Sequence, residues 1–368
     1  MTPGDSSSSP PHPPERPRAP VIAVDCNGAD LGPAEVAAGA AIAVGQGARV
    51  ILFGPARELG ELPQGVEVVD APISIAKAPD PVSAARTTPD ASIVQAARAV
   101  ADGRADALVC AGATGAALAA GTFNIGRARG IYRPALAIPL PVGGRDHHQV
   151  TLLDVGANAE ARREHLVQFA FMGAALSRTV LGVTRPRVAL LSNGEEAARG
   201  SALVLEVHGE LAKRAQDGID LFDFVGNVEG NDVVTGRADV IVCDGLTGNI
   251  ALKLMEGVSQ AMLGAIRHAA TSTTRGKVGG ALLRSSLRGL RAELDPEASG
   301  GAYLLGLRGL GVVPHGRFTR AGFAQAILRA QRGASENIVA QTQRALEQAD
   351  ALRRPPVSAP DASLRQAQ

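Results

Sequence analysis

From residue 21 onward the chain alternates short, almost continuously apolar runs with Ala-rich stretches, and this alternation constrains the fold more than any other feature. Val21–Asp25, Val50–Phe53, Val66–Val69, Ala107–Cys110, Leu136–Leu140, Thr151–Asp154, Val188–Leu191, Phe222–Val225 and Val240–Cys243 all read as strands. Runs apolar at successive positions need cover on both faces. Stretches such as Ser92–Ala101, Arg162–Leu176 and Ala202–Lys213 read as the helices that supply it. The pattern predicts an α/β fold built on a doubly wound, mostly parallel sheet. No fixed-period repeat is present, which argues against a solenoid.

The ends of the chain differ in character. Residues 1–20 are rich in Pro and Ser and read as a disordered leader without the apolar stretch of a signal peptide. Residues 21–345 read as the α/β domain, with a helical segment at 258–294, and residues 346–368 as a loose tail. No apolar run approaches the ~20 residues of a membrane span. Three cysteines, Cys26, Cys110 and Cys243, lack CxxC or Cys/His spacing, so neither a disulfide framework nor a metal site is expected. So few cysteines suit a reducing cytoplasm. A net charge of +1, 3% aromatics and no Trp argue against a nucleic-acid partner.

The residues after each strand carry the chemistry. Asp25-Cys26-Asn27-Gly28 follows the first strand, Gly112-Ala113-Thr114-Gly115 the fourth and Asp154-Val155-Gly156-Ala157-Asn158 the sixth. Asn193-Gly194-Glu195-Glu196, Gly226-Asn227-Val228-Glu229 and Asp244-Gly245-Leu246-Thr247-Gly248-Asn249 follow three more. Parallel strands bring their C-terminal ends to one edge, so the six loops are expected to converge on one crevice. Glycine lets backbone N–H groups approach an anion, a following helix N-terminus adds its dipole, and Asn and Thr supply neutral donors. A small phosphate-type anion is the implied ligand. Neither GxxxxGK[ST] nor, at the first strand, GxGxxG is present. Any one loop alone reads first as a tight turn; six in phase favour a site.

Lys253 lies four residues after Asn249, one helical turn on, where it can neutralise phosphate or a developing oxyanion; the alternative is a solvated lysine. His315 reads as an acid/base, a phosphate donor or a structural histidine. Glu195 and Glu196 either orient a cationic or amide group or decorate a helix start. Nothing requires a protein nucleophile, a metal or a cofactor. Between Val278 and Leu294, helical spacing aligns Leu283, Leu287, Leu290 and Leu294, bordered by Arg284, Arg288 and Arg291. Such a helix suits an anionic membrane surface, the core, a second subunit or an acidic partner.

In order, Asp154–Asn158, Gln168–Gly173, Gly194-Glu195-Glu196, Gly226–Glu229, Asp244–Asn249, Leu252-Lys253, Glu256-Gly257, Gly301–Gly306 and His315-Gly316 resemble the bacterial phosphate acyltransferases of phospholipid synthesis. The resemblance spans about Val21 to Ala340. It implies conversion of acyl-[acyl carrier protein] and inorganic phosphate to acyl phosphate and free carrier protein, without a cofactor. It further implies a fold like the isocitrate and isopropylmalate dehydrogenases, a homodimer, and a peripheral position on the inner face of the cell membrane. The acyl phosphate would feed a glycerol-3-phosphate acyltransferase. Ala113 and Val313 stand where the family carries Asn and Lys, and Asn27 and Asn193 are further departures. The alternatives are a phosphate acetyl- or butyryltransferase using acyl-CoA and a silent paralogue that binds carrier protein or membrane.

Overall fold

The computed structural model describes residues 18–142, 148–218, 220–285, 288–289 and 296–353. Among the described residues eleven strands form one sheet. They are β1 (Val21–Asp25), β2 (Arg49–Gly54), β3 (Glu67–Asp70), β4 (Ala107–Val109), β5 (Ala135–Pro141) and β6 (Gln149–Leu153), followed by β7 (Arg187–Leu191), β8 (Asp223–Val228), β9 (Val240–Val242), β10 (Ala302–Leu305) and β11 (Leu310–Val313). Their spatial order is β3-β2-β1-β4-β11-β10-β5-β6-β9-β7-β8. All nine strands expected from the sequence are present. β10 and β11 are additional, a short antiparallel hairpin flanked and interrupted by glycines.

Among the described residues the α-helices are α1 (Pro33–Gly45), α2 (Pro81–Thr87), α3 (Ser92–Ala101), α4 (Thr114–Ala120), α5 (Arg163–Thr179), α6 (Ala202–Gln216), α7 (Gly245–Ser272), α8 (Thr274–Leu282), α9 (Arg320–Ser335) and α10 (Ile338–Gln348). The period-2 alternation of β1 shows why both faces need cover. Ile22 and Val24 enter one core with residues of α1, α5 and α9. Val21 and Ala23 enter the other, with α3 and α4. The fold is therefore doubly wound, as the continuous apolar runs predicted.

The direction of the strands departs from expectation. β3, β2, β1, β4 and β11 run parallel to one another, as do β6, β9, β7 and β8. Between the groups lie three antiparallel pairings, β11–β10, β10–β5 and β5–β6. An odd number of reversals leaves the two parallel groups pointing opposite ways. The six loops therefore do not share one edge: those after β1 and β4 sit at one, and those after β6, β7, β8 and β9 at the other.

α5 is buried along most of its length, and Gly173 lets it approach the sheet, since a Cβ there would stand 2.5 Å from Val240. Gln168 fastens this helix to distant chain: Oε1 accepts from the Tyr132 N–H, and Nε2 donates to the carbonyls of Gly130 and Ala351. The fold thus continues past residue 345, through α10 to Arg353, whose N–H donates to Gly130. The single helix expected over Val278–Leu294 is not formed. The Thr273 hydroxyl caps α8 by accepting from the Gly276 N–H, and the helix closes at Leu282. Arg284 and Arg288 are exposed; Leu287 and Leu290 lie outside the described residues, as do residues 1–17 of the expected leader and 354–368 of the expected tail. No helix among the described residues is long and apolar enough to cross a membrane.

Candidate active site

At the first edge, the loops after β1, β4 and β11 are locked together. Asp25, 2% exposed, accepts from the Ser92 hydroxyl at 2.6 Å and from the Asn27 N–H at 3.1 Å. Asn27 in turn donates to Ser92 Oγ and to the Ala71 carbonyl, each at 3.0 Å. Burial raises the Asp25 pKa to about 7, against the lowering pull of these hydrogen bonds. Asp25 and Asn27, expected to touch substrate, also serve as struts under the loop. Gly28 faces Ala76 at a φ of 112°. Gly112 has a φ of 91°, and a Cβ there would stand 2.3 Å from the Gly316 backbone. Only glycine at position 112 allows that approach. The Asp30 N–H closes the cluster by donating to Gly316 O at 2.9 Å. Thr114 and Gly115 open α4 beside it.

His315 belongs to this cluster. Its Nδ1 accepts from the Arg317 N–H at 3.2 Å, which leaves Nε2 to carry the proton of the neutral ring. Burial lowers its pKa first; Lys253 and Arg317 push the same way, while Glu256 and Asp30 oppose them. Lys253 and Glu256, paired at 2.8 Å, lie on α7, which starts at the opposite edge. α7 therefore brings a second-edge element into the field of a first-edge histidine.

At the second edge Asp154 organises the site. Fully buried, its carboxylate accepts from the N–H groups of Leu136, Gly156, Ala157 and Asn158 and from Asn158 Nδ2, at 2.8–3.2 Å. Burial raises its pKa against those donors. Asn158 Nδ2 also reaches the Pro134 carbonyl at 2.8 Å. α7 is seated on this loop through glycines. A Cβ on Gly245 would stand 2.5 Å from Asn158 O, and one on Gly248 only 1.9 Å from Asp154 O. The Asn249 side chain lies over Gly156. Asp244 and Thr247 satisfy each other as the helix cap: Asp244 accepts from the Thr247 N–H at 2.9 Å and hydroxyl at 2.7 Å.

The loops after β7 and β8 form a third group. Asn227 Nδ2 donates to the carbonyls of Glu196 and Arg199, Glu195 chelates Arg237, and Glu229 starts a short helical turn. Glu196 lies 3.7 Å from Arg199, Gly194 packs against the same arginine, and Asn193 is exposed. No hydrogen bond or ion pair among the described residues joins this group to the other two. The three cysteines are buried, and burial pushes the Cys110 thiol up to about 12.

What joins the two edges is a groove of about 670 Å³ along α4, running from Gly115 past Leu118 and Phe123 to Tyr132 and Asn158. Arg127, Arg133 and Arg162 line it, and Arg86 stacks on Phe123 at 4.1 Å from the ring centre. Sequence reasoning missed Ser92, Asp154 and these arginines as site residues. A lone acid closing an apolar strand was the available signal for Asp154; the arginines carried none.

The sheet and its helices define an α/β fold shared with phosphotransacylases. A phosphotransacetylase from Streptococcus pyogenes superposes with a TM-score of 0.57 at 16% identity, over 86% of this chain and 94% of its own. A branched-chain phosphotransacylase from Enterococcus faecalis does so with a TM-score of 0.53 at 14%, over 85% and 99%. At these identities the likeness is one of fold. Residues 21–341 match the family described as fatty acid synthesis protein. A phosphate acyltransferase of Desulforudis audaxviator is 43% identical over 322 residues, 86% of this chain and 93% of the relative. That of Gloeobacter violaceus is 42% identical over 335 residues, 88% and 96%. The chain belongs to the phosphate acyltransferase family.

Proposed function

We propose that the protein transfers the acyl group of acyl-[acyl carrier protein] to inorganic phosphate, giving acyl phosphate and free carrier protein. A phosphate oxygen attacks the thioester carbonyl, and the tetrahedral intermediate collapses with loss of the carrier's sulfur. The proton of hydrogen phosphate ends on the departing thiol, so the step balances without another reactant. Positioning and oxyanion stabilisation are what the protein must supply. Neutral His315 donates from Nε2 to phosphate, Lys253 faces the developing oxyanion, and Asn249, Thr114 and the glycine backbones orient the rest, with Asn158 holding its loop in place.

The groove carries the choice of a long acyl donor. Its wall of Pro81, Val82, Leu118, Ala119 and Phe123 is apolar, connects the two loop clusters, and suits a fatty chain better than an acetyl group. Its arginines form no ion pair among the described residues and complement an acidic carrier protein. On α7, Leu246, Ile250, Leu254, Val258 and Met262 recur every four residues and are 48–65% exposed, which fits a homodimer interface. Leu282 and Leu283, 80% and 56% exposed beside Arg284, fit peripheral contact with an anionic membrane. There the product would pass to a glycerol-3-phosphate acyltransferase.

Thr122→Trp, which fills the groove, tests this reading. kcat/KM for palmitoyl-[acyl carrier protein] should fall by roughly tenfold or more, while that for a two-carbon donor changes by less than about twofold. Equal losses for both would remove the groove as the acyl site.

A further inference from the structure

On the opposite face of the sheet from the groove, a cavity of about 180 Å³ lies between α9 and the ends of α5 and β6. Tyr303 of β10 forms one wall, packed with α9 in the core of that face, whereas Leu118 of the groove packs against the other core. The polar groups lining the cavity are Arg329, Arg332, Gln149, Gln325 and Tyr303. Arg329 Nη1 is shut off from solvent and has no hydrogen-bond partner. Its guanidinium lies 5.3 Å from the centre of the Tyr303 ring, which supplies attraction but no acceptor for Nη1. The Tyr303 hydroxyl is itself committed, donating to the Arg329 carbonyl at 3.3 Å.

Among the described residues the cavity has donors and no acid. The described charged and titratable groups acting on Arg329 are Tyr303 and Arg332, and no carboxylate is among them. The carboxylate on the adjoining segment, Glu297, accepts from the Thr319 N–H and hydroxyl at 2.9 and 2.6 Å. Arg332 forms no ion pair, and the amides of Gln149 and Gln325 make no hydrogen bonds among the described residues. A desolvated guanidinium without a counter-charge is costly, and such groups in folded proteins are paired or hold a ligand. Two guanidinium forks and two free amides around a space this small match an oxyanion with several acceptor oxygens, and the volume is too small for a nucleotide or an acyl chain.

We propose that this cavity is a second anion site, separate from the acyl-transfer groove, that binds a small oxyanion of the phosphate class between Arg329 and Arg332. A bound anion bridges α9 to the start of β6 and to β10. The backbone of β10 is tied to the His315 loop, because Gly301 packs directly on Val313 and Pro314.

The test uses the full chain. Crystals grown without phosphate or sulfate are soaked in inorganic arsenate, and data are collected at the arsenic edge. Phosphate binding is titrated calorimetrically for the wild type, Arg329→Met and Arg332→Met. The expected result is an arsenic peak within hydrogen-bonding reach of Arg329, with one more phosphate bound per protomer by wild type than by either variant. Acyl phosphate formation by Arg332→Met at saturating phosphate should stay within about twofold of wild type, which separates this site from the groove. Arg332→Met, on the exposed side of α9, keeps the test valid if Arg329→Met does not fold. Absence of the peak, a peak without a matching loss of solution stoichiometry in the variants, or unchanged stoichiometry in Arg332→Met would overturn the proposal.

Discussion

Asp25 and Asp154 each close an apolar strand, and both carboxylates are spent on holding loops in place. Asp25 shows how such a residue marks itself in solution. Its folded pKa of about 7 lies above the ordinary 3.8, chiefly through burial. The folded state therefore keeps a proton that the unfolded chain gives up. Stability falls as pH rises from about 4 to about 7 and levels off above, by an amount on the order of 4 kcal/mol. Glu35, held low by Arg320, Glu195, held low by Arg237, and Asp239, held low by Arg187 despite its burial, act in the opposite sense at acidic pH. Urea unfolding of wild type and Asp25→Asn across that range isolates the difference: wild type should lose stability relative to the variant only between about pH 4 and 7. A polar residue ending an apolar run was visible in the sequence, as was the small-polar character of its loop. Its partner was not, because Ser92 arrives from 67 positions away.

At the scale of elements, glycines decide which loops can meet. Gly112→Ala places a Cβ against the Gly316 backbone at positive φ, and should cost about 2–4 kcal/mol in thermal unfolding together with most of the turnover. Gly209→Ala, on an exposed position of α6 with nothing near its Cβ, should instead stabilise by about 0.5–1 kcal/mol through helix propensity. The apolar stripe of α7 gives a further test. Ile250→Glu with Leu254→Glu should convert the proposed homodimer to monomers in sedimentation velocity, because the new charges would have to be buried without partners. Nine strands were legible because each carried its own apolar run. β10 and β11 were not, since Gly300, Gly301, Gly306, Gly309 and Gly311 punctuate the hairpin. The Val278–Leu294 stretch is broken at Leu283, which uniform helical spacing does not show, and the start of α8 depends on the Thr273 cap and on contact with α7.

For the molecule as a whole, the class of fold was readable and the sense of its two halves was not. Strand identity is local, but direction is set by pairing between distant segments, and the three antiparallel pairings decide it. The expected crevice of six loops becomes three groups: Asp25–Gly28 with His315, Asp154–Asn158 with Asn249, and the loops after β7 and β8 apart from both. A groove along α4 joins the first two, and α7 carries Lys253 from one toward the other. The proposed long acyl donor delivered by a carrier protein rests on that groove and its arginines. Acyl phosphate formation from palmitoyl-[acyl carrier protein], palmitoyl-CoA and acetyl-CoA, each with inorganic phosphate and trapped as hydroxamate, tests this most directly. Phosphate-dependent product formed best from palmitoyl-[acyl carrier protein] is the predicted result. Product formed best from acetyl-CoA, or none from any donor with the folded protein confirmed, would contradict it.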